Sequence, residues 1–288
     1  MGLVSFTEGD EPLRPGFRIG DRVVGLDTAP FSGPGRLNPH LAELETLERR
    51  AWDALTSNAD PDVYRLAEVT LEQPVDPSKI LRAEGCYQHD LTDTGFNPHL
   101  EAAELNELEW PSLWVTPRST SVGPDSMVQL PRSVSDIRPG VEFAVVMGER
   151  IENRPVETVL DSVAGYVPAV TLTAHDELPG LEGYKMFEGF LAVGPSVVPA
   201  DQVAPDEREM ALRVNGDPLD VQTTADWRFT LAEILSHASA VMTLQPGDVV
   251  LTGNPIRAER TLSGGDRVSG RIDGVGSLSL TVVGTDDE

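Results

Sequence analysis

The chain has 288 residues, of which 40% are hydrophobic, enough apolar material for one large core or two unequal cores. Its 47 acidic residues outnumber its 22 basic residues, and the formal net charge of -25 argues against nucleic acid or an anionic membrane as a partner. The composition therefore predicts a globular protein in which a small anionic ligand would need a locally positive pocket.

The first part of the chain predicts a small domain. Short apolar pieces such as FRIG and RVVGL alternate with Gly and Pro over residues 1–38, which is typical of short strands and turns. A helix is predicted from His40 to Leu55, because leucine and alanine recur there at intervals of three and four. The stretch QPVDPSK, with two prolines, then predicts a link. We expect a small α/β domain at residues 1–75 and a second domain at residues 76–288.

The second part of the chain is predicted to be rich in strands. Short apolar segments are separated by Gly, Pro and Asp, and they include VEFAVVMG, FLAVGPSVV, DVVLTG, RVSGRI and LSLTVVG. Two helices are predicted between them, one from Pro155 to Val163 and one in FTLAEILSHASAVM, where Thr230 and Glu233 occupy capping-box positions. The closing GTDDE is typical of a solvated tail. These patterns predict an α+β fold that is mostly β.

Several features predict a soluble, cytoplasmic protein. Cys86 is the single cysteine, so an internal disulfide is excluded and a reducing compartment is favoured. The start MGLVSFTEGDEPL lacks the basic patch and apolar core of a signal peptide, and no apolar run approaches transmembrane length.

The basic residues are almost all arginine, since Lys79 and Lys185 are the only lysines. An excess of acid combined with scarce lysine is typical of halophiles that keep a salty cytoplasm, and concentrated salt would screen the repulsion among the carboxylates. We therefore expect low salt to weaken the fold. The alternative is an ordinary acidic protein from a GC-rich genome, which favours arginine over lysine.

Five segments occur in one order along the second part: VEFAVVMG, AGYVPAVTLTAHD, YKMFEGFLAVGP, TADWRFTLAEILSHASAVMTLQPGD and GDVVLTGNP. Their order and spacing resemble the fumarylacetoacetate hydrolase family over residues 76–284, and five agreeing segments are more specific than one short motif. The resemblance implies a mixed β roll or pseudo-barrel with a few flanking helices, preceded by a variable amino-terminal domain. It also implies a homodimer.

The same resemblance implies chemistry on small 2-oxo acids with a divalent cation, Mg²⁺ or Mn²⁺. Family members hydrolyse acylpyruvates, decarboxylate oxaloacetate-like acids, isomerise or hydrate dienoates, or dehydrate 2-keto-3-deoxy sugar acids. The cation chelates the keto and carboxylate oxygens of the substrate and stabilises the enolate that develops there.

The metal positions that the resemblance implies are altered. The family strand reads Glu-x-Glu before its apolar run, and here Gly140 takes the first place and Glu142 the second. The third metal carboxylate falls at Thr171 in GYVPAVTLTAHD. Glu142 is therefore the one predicted metal ligand.

The resemblance also implies catalytic and substrate-binding positions. A catalytic histidine is expected in the loop GCYQHD, where Asp90 stands in its place and His89 comes one residue earlier. We predict that His89 or Asp90 moves protons, with Asp93 at the position of a partner carboxylate. Lys185 in YKMF matches the family's pocket lysine, and we predict that it is catalytic and that its compact charge meets the substrate carboxylate.

Further substrate-binding residues are expected in two other segments. The family turn Gly-Thr-Pro becomes Gly253, Asn254 and proline here, and we predict that Gly253 and Asn254 bind substrate. His175 replaces a family arginine and is followed by Asp176, which is retained. We predict that His175 contacts substrate, and the pair could also serve in acid–base chemistry.

Most of these residues have an alternative interpretation. Glu142 could be a carboxylate at a strand entry that pairs with an arginine, and His175 could be a surface or interface histidine. Cys86, which takes the place of a family asparagine, is better explained as a small buried residue than as a nucleophile. The lysine that the family has before a proline becomes Thr116, and Lys185 could have been retained by chance.

Three functions remain open from the sequence. The first is a family enzyme with an altered site that acts on a small 2-oxo acid, in which Lys185 and the GNP turn hold a carboxylate. The second is a 2-keto-3-deoxy sugar-acid dehydratase, although the resemblance implies that this branch keeps all three metal carboxylates. The third is a non-catalytic member that serves as a binding module or dimer partner. The lost ligand positions favour this third function, whereas Lys185 and Asp176 favour an enzyme.

Overall fold

The computed structural model describes residues 1–26, 38–56, 62–88, 108–176, 185–255 and 259–284. Their strands, in chain order, are β1 (Gly2–Thr7), β2 (Arg14–Ile19), β3 (Arg22–Gly25), β4 (Val63–Arg65), β5 (Thr70–Glu72), β6 (Ile80–Glu84), β7 (Ser112–Thr116), β8 (Ser121–Val122), β9 (Ser126–Gln129), β10 (Ile137–Met147), β11 (Val163–Ala174), β12 (Leu191–Val193), β13 (Val198–Pro199), β14 (Glu209–Val214), β15 (Asp217–Thr223), β16 (Val249–Leu251), β17 (Arg267–Ile272) and β18 (Gly276–Val283). The α-helices are α1 (Leu44–Thr56) and α2 (Leu231–Val241). The prediction of a mostly β fold is confirmed.

The strands form three sheets. The first has the order β4-β3-β2-β1-β5, and the third has the order β15-β14-β17-β18-β9. The second is an eight-stranded central sheet, β7-β6-β16-β10-β11-β12-β8, in which β13 also pairs with β11. Its strands alternate along the chain with those of the third sheet. The long antiparallel pair of β10 and β11 forms the middle of this sheet and carries two of the predicted metal positions opposite each other.

Both helices bury an apolar face, and both were predicted. The first turns before α1 form a 3-10 helix at Asn38–Glu43, and α1 then buries Leu44, Leu47 and Ala51. Helix α2 begins after Thr230, whose hydroxyl accepts a hydrogen bond from the Glu233 N–H while the Glu233 carboxylate accepts one from the Thr230 N–H. This reciprocal pair is the capping box expected from the sequence.

The helix expected from Pro155 to Val163 was wrong. The segment consists of turns and a short 3-10 helix at Val159–Ser162, and β11 begins at Val163. Four β-branched residues in the segment lose side-chain freedom in a helix, and the pairing of Val163 with β10 holds its end. The segment therefore connects two strands and adds no further α-helix.

The two faces of the central sheet carry different cores. One face packs residues such as Phe143, Val145 and Val170 against α2 and the third sheet. The other face packs Ile80 and Ala144 against the first sheet and α1. The amino-terminal strands thus share a core with the central sheet, while the proposed boundary at residue 75 stays a prediction. No α-helix among the described ranges has the length and apolar character needed to cross a membrane.

Candidate functional site

The site begins where charged residues replace apolar ones on one face of the central sheet. Because side chains alternate along a strand, Glu142 lies on the same face of β10 as Ala144, which belongs to the apolar core shared with the first sheet. By the same rule Arg82 lies on the face of Ile80 in β6. Strand β16 pairs with β6 in parallel and with β10 antiparallel, and it thereby brings these two strands close.

Four charged side chains meet there, and we refer to Arg82, Glu84, Glu142 and Lys185 as the buried charge cluster. The guanidinium Nη1 of Arg82 donates to Glu142 Oε1 at 2.5 Å, and these side chains are 2% and 0% exposed. The ammonium of Lys185 donates to Glu84 Oε1 at 3.3 Å and lies 3.8 Å from Glu142 Oε1. Two positive and two negative charges thus offset each other in a place that excludes water, where an unpaired charge would be expensive.

The cluster is neutral overall but its hydrogen bonds are incomplete. Among the described residues, Arg82 Nη2, Glu142 Oε2 and Thr171 Oγ1 are buried and have no hydrogen-bond partner. Leaving such a polar group unsatisfied costs about 1–3 kcal/mol, so buried polar atoms usually find a partner. One donor, one acceptor and one hydroxyl are thus available to a small polar ligand.

Asn254 fills the space next to Gly140. A Cβ atom built on Gly140 would lie 2.2 Å from Asn254 Nδ2, which is far inside contact distance. Asn254 follows Gly253, whose φ of 91° belongs to the left-handed region that glycine adopts readily. The turn after β16 therefore places the Asn254 amide where a side chain at position 140 would extend.

The structure brings together part of the predicted set. Glu142 and Lys185 contact the same group of charges, Asn254 lies beside Gly140, and Thr171 is the strand partner of Gly140. The functional roles assigned to these residues stay predictions. His89, Asp90 and Asp93 lie outside the described residues.

His175 and Asp176 directly follow β11. The His175 N–H donates to the Asp136 carbonyl, and the His175 ring lies within electrostatic range of Lys185. Burial lowers the pKa of His175, and the nearby charge of Arg138 lowers it further, so the neutral ring is favoured at neutral pH.

The Asp176 carboxylate serves a turn. It accepts hydrogen bonds from the Asp136 N–H at 2.7 Å and from the N–H and hydroxyl of Ser135 at 2.8 and 2.7 Å. These bonds, led by that of the Asp136 N–H, lower the pKa of Asp176 because they favour the charged form. The carboxylate thus stabilises the chain just before β10, and its acid–base role beside His175 stays a prediction.

Two other positions from the sequence lie close to the cluster. Thr116 is buried, and its hydroxyl accepts a long hydrogen bond of 3.4 Å from Arg82 Nε. Cys86 is fully buried, as expected for a small residue of the core.

The residues present do not fit a divalent cation bound in the way the resemblance implies. Only one of the three expected carboxylates, Glu142, is there, and the Arg82 guanidinium already occupies its Oε1. The Asn254 amide fills the space beside Gly140, and Thr171 offers a neutral hydroxyl. No group of three His, Cys, Asp or Glu side chains suited to a metal occurs in the part of the chain that the structure describes.

Arg82 and Glu84 were not predicted from the sequence as residues of the site. A signal was present, because ILRAE places two charges two residues apart in a strand whose other residues are apolar. Such residues lie on one face, so their charges had to be buried together or to face a polar site. The partner of Arg82 is sixty positions away in the chain, and the sequence pattern did not identify it.

Comparison with known proteins agrees with this fold. A family model described as Fumarylacetoacetate (FAA) hydrolase C-terminal matches residues 79–283. Maleylpyruvate hydrolase of Aquipseudomonas alcaligenes is 29% identical over 298 residues, covering 98% of this chain and 99% of that protein. A mitochondrial oxaloacetate tautomerase of Xenopus laevis is 28% identical over 299 residues, covering 98% of this chain and 90% of that protein.

A solved structure is similar over almost the whole length. The crystal structure of maleylpyruvate hydrolase from Sphingobium sp. SYK-6 in complex with manganese(II) ion and pyruvate has a TM-score of 0.79 and 28% identity, with 99% of both chains covered. The shared fold and the matched residues lead to one conclusion: the chain belongs to the fumarylacetoacetate hydrolase family.

Proposed function

We propose that this protein is an enzyme that acts on a small 2-oxo acid of the acylpyruvate or oxaloacetate type. The observation that carries the proposal is the buried charge cluster, where two cations meet one sheet face that also carries Thr171. Two hydrogen-bond donors there, Arg82 Nη2 and the Thr171 hydroxyl, have no partner among the described residues. A 2-oxo acid offers a carboxylate and a keto oxygen side by side. Both oxygens accept hydrogen bonds, and both gain from nearby positive charge.

The two cations have different tasks in this proposal. Lys185 carries a compact charge that meets the substrate carboxylate, and Arg82 Nη2 donates to the keto oxygen. When a proton or an acyl group leaves the carbon beside the keto group, the proton passes to His89 or Asp90 and the acyl group passes to water. The electron pair of the broken bond then delocalises onto the keto oxygen and forms an enolate. A fixed guanidinium in a place without water stabilises this developing charge better than it stabilises the neutral ketone.

The relatives support the substrate class. The names of two of them describe a hydrolase of maleylpyruvate and a tautomerase of oxaloacetate, and a related crystal structure holds pyruvate. Each compound contains the same 2-oxo carboxylate unit. We retain His89 or Asp90 for proton transfer, and Gly253 and Asn254 for contact with the substrate.

The test uses the two lysines of the chain as a matched pair. Oxalate resembles the planar enolate of a 2-oxo acid. Its binding to the parent protein, to Lys185→Met and to Lys79→Met is measured by calorimetry in concentrated KCl. Lys185→Met should weaken oxalate binding about tenfold to a hundredfold, because a charge-assisted hydrogen bond is worth about 1.5–3 kcal/mol. Lys79→Met should bind like the parent. Equal losses in the two variants, or no binding to the parent, would contradict the proposal.

A second candidate is a non-catalytic module that binds a 2-oxo acid without converting it. It is favoured by the pairing of both cations within the protein and by the neutral residues at positions 140 and 171. Turnover distinguishes the two candidates. The conversion of acylpyruvates, oxaloacetate and 2-keto-3-deoxypentonates is followed by ultraviolet absorbance. An enzyme should convert at least one of these compounds, and His89→Ala should slow that reaction while oxalate binding persists.

A further inference from the structure

We propose that the guanidinium of Arg82 takes the place of the divalent cation in this site, so that the site needs no metal ion. The inference about the cation stands on the side chains of the site alone. Only the idea that Arg82 then contacts a substrate oxygen rests on the proposed function.

The charges of the site do not suit a divalent cation. Three carboxylates would offer a divalent cation three negative charges, whereas Gly140, Glu142 and Thr171 offer one. Two glutamates and two cations already balance within the buried charge cluster. A divalent ion placed at Glu142 would add two positive charges next to Arg82 and Lys185 in a buried place, where like charges repel strongly. The guanidinium supplies one positive charge instead of two, and the charges of the buried charge cluster balance with it included.

The space beside Gly140 is already filled. The side chain that would extend from position 140 in a metal site has no room here, because the Asn254 amide lies 2.2 Å from the position of a Cβ on Gly140. Gly140 and Asn254 therefore depend on each other: the glycine admits the amide, and the amide closes the space that a carboxylate would use. The two departures from the family pattern are thus one structural change.

The orientation of the Arg82 guanidinium suits contact with both a protein carboxylate and a ligand. Arg82 reaches Glu142 from β6, with Nη1 toward Oε1, and its Nη2 remains buried without a partner among the described residues. The guanidinium is planar and has donors fixed in a fork, so one edge can hold the protein carboxylate while another donor meets a ligand oxygen. A metal ion performs the same bridging between protein carboxylates and substrate oxygens.

The decisive measurement is Mn²⁺ binding, because free Mn²⁺ gives a sharp paramagnetic resonance signal that bound Mn²⁺ loses. The chain is dialysed against a chelator and titrated with Mn²⁺ in concentrated KCl, which screens weak binding to surface carboxylates. We expect the parent chain to have no site that binds one Mn²⁺ per chain and is lost in Glu142→Gln. One Mn²⁺ per chain that is lost in Glu142→Gln would overturn the inference.

A rebuilt site sharpens the measurement. The variant Arg82→Ala/Gly140→Glu/Thr171→Asp/Asn254→Thr removes the guanidinium and restores carboxylates, so it should gain one Mn²⁺ site. The matched variant that keeps Arg82 and carries the other three changes should bind Mn²⁺ at least about tenfold more weakly, because the guanidinium competes for Glu142. Equal Mn²⁺ affinity in two folded variants would overturn the inference. If the variants do not fold, the titration of the parent chain decides.

Oxalate separates this inference from the proposed function. Parent protein treated with chelator should bind oxalate as well as untreated protein, and added Mn²⁺ should change nothing. Loss of oxalate binding on chelation, with recovery on adding Mn²⁺, would overturn the inference while leaving the 2-oxo acid proposal intact. Absence of oxalate binding in every condition, combined with absence of an Mn²⁺ site, would overturn the proposed function and leave Arg82 as the internal cation.

Discussion

Each of the two lysines of the chain lies in an ion pair, and the two pairs differ in the hydrogen bonds of their carboxylates. Lys79 contacts Asp248 Oδ2 at 2.5 Å, and the same oxygen accepts from the Gln245 N–H, while Oδ1 accepts from the Ser78 hydroxyl and the Lys79 N–H. All of these contacts hold the turn between α2 and β16 to the start of β6. In the cluster around Lys185, by contrast, Glu142 uses Oε1 and leaves Oε2 without a partner among the described residues.

If the proposed function is right, this difference separates a structural ion pair from a site for a ligand. A buried carboxylate that only stabilises the fold uses all its hydrogen-bonding capacity, as Asp248 does, because each unmade bond has a cost. Within the described ranges, Glu142, Arg82 and Thr171 each keep one polar atom without such a bond. A 2-oxo acid, whose oxygens accept hydrogen bonds, would recover the part of that cost that falls on Arg82 Nη2 and the Thr171 hydroxyl.

The largest effect is expected from breaking the pair of Arg82 and Glu142. Arg82→Met leaves the Glu142 charge buried with Lys185 at 3.8 Å as its nearest cation, so the free energy of unfolding should fall by about 3–5 kcal/mol. The double change Arg82→Met/Glu142→Leu should recover most of this loss, since it leaves no unpaired charge. Urea unfolding followed by circular dichroism measures both. A double variant as unstable as the sum of its single changes would contradict the arrangement.

A smaller loss of stability, without loss of binding, is expected at the other pair. In Asp248→Asn an amide NH₂ would face the Lys79 ammonium and the Gln245 N–H, all of which are donors, and the free energy of unfolding should fall by about 1–3 kcal/mol. Oxalate affinity should stay that of the parent. If Asp248→Asn weakened oxalate as strongly as Lys185→Met does, the contrast between the two pairs would be refuted.

The space beside Gly140 gives a related prediction. Gly140→Ala places a methyl group against the Asn254 amide, and overpacking of this kind costs about 1–3 kcal/mol. Adding Asn254→Ala should remove the clash and restore most of the lost stability. Thermal unfolding of the two single variants and the double variant measures the coupling, and strictly additive effects would show that the two side chains do not compete for space.

The smallest effect on stability is expected at the partly buried ion pair of Arg138 and Asp136. The Arg138 guanidinium, assisted by a hydrogen bond from Thr261, lowers the pKa of Asp136 to about 2 from its usual 3.8. A lowered carboxylate pKa contributes stability that is fully present above the usual value and is lost as the pH falls through the lower one. The thermal midpoint should therefore lose this contribution between about pH 4 and pH 2. Asp136→Asn should show a shallower decline over that interval, and identical declines would contradict the assignment.

Local patterns in the sequence were sufficient for much of the fold. The capping box of Thr230 and Glu233 marks the start of α2, and the apolar run after Glu142 marks β10. Both signals act between residues close in the chain, where geometry follows from helix or strand spacing. At Pro155 the same kind of signal failed, because the pairing of β10 with β11 outweighs a weak local preference for helix.

The site was only partly predictable for a related reason. Family positions pointed to Glu142, Lys185 and Asn254, and these residues do lie around one face of the central sheet. Arg82 has no counterpart in that pattern, and its importance comes from β6 and β10 being joined through β16, a long-range pairing. Identifying which arginine meets a buried glutamate requires this pairing, and spacing in the sequence does not supply it.

The central claim, that Arg82 stands where a metal ion would, is tested most directly by crystals of the chain grown with MnCl₂ and oxalate. Diffraction data on both sides of the manganese absorption edge reveal any Mn²⁺ by its anomalous scattering. We predict no anomalous peak beside Glu142, and an oxalate oxygen within hydrogen-bond distance of Arg82 Nη2. A manganese peak bound to Glu142, with Arg82 displaced from that carboxylate, would contradict the claim.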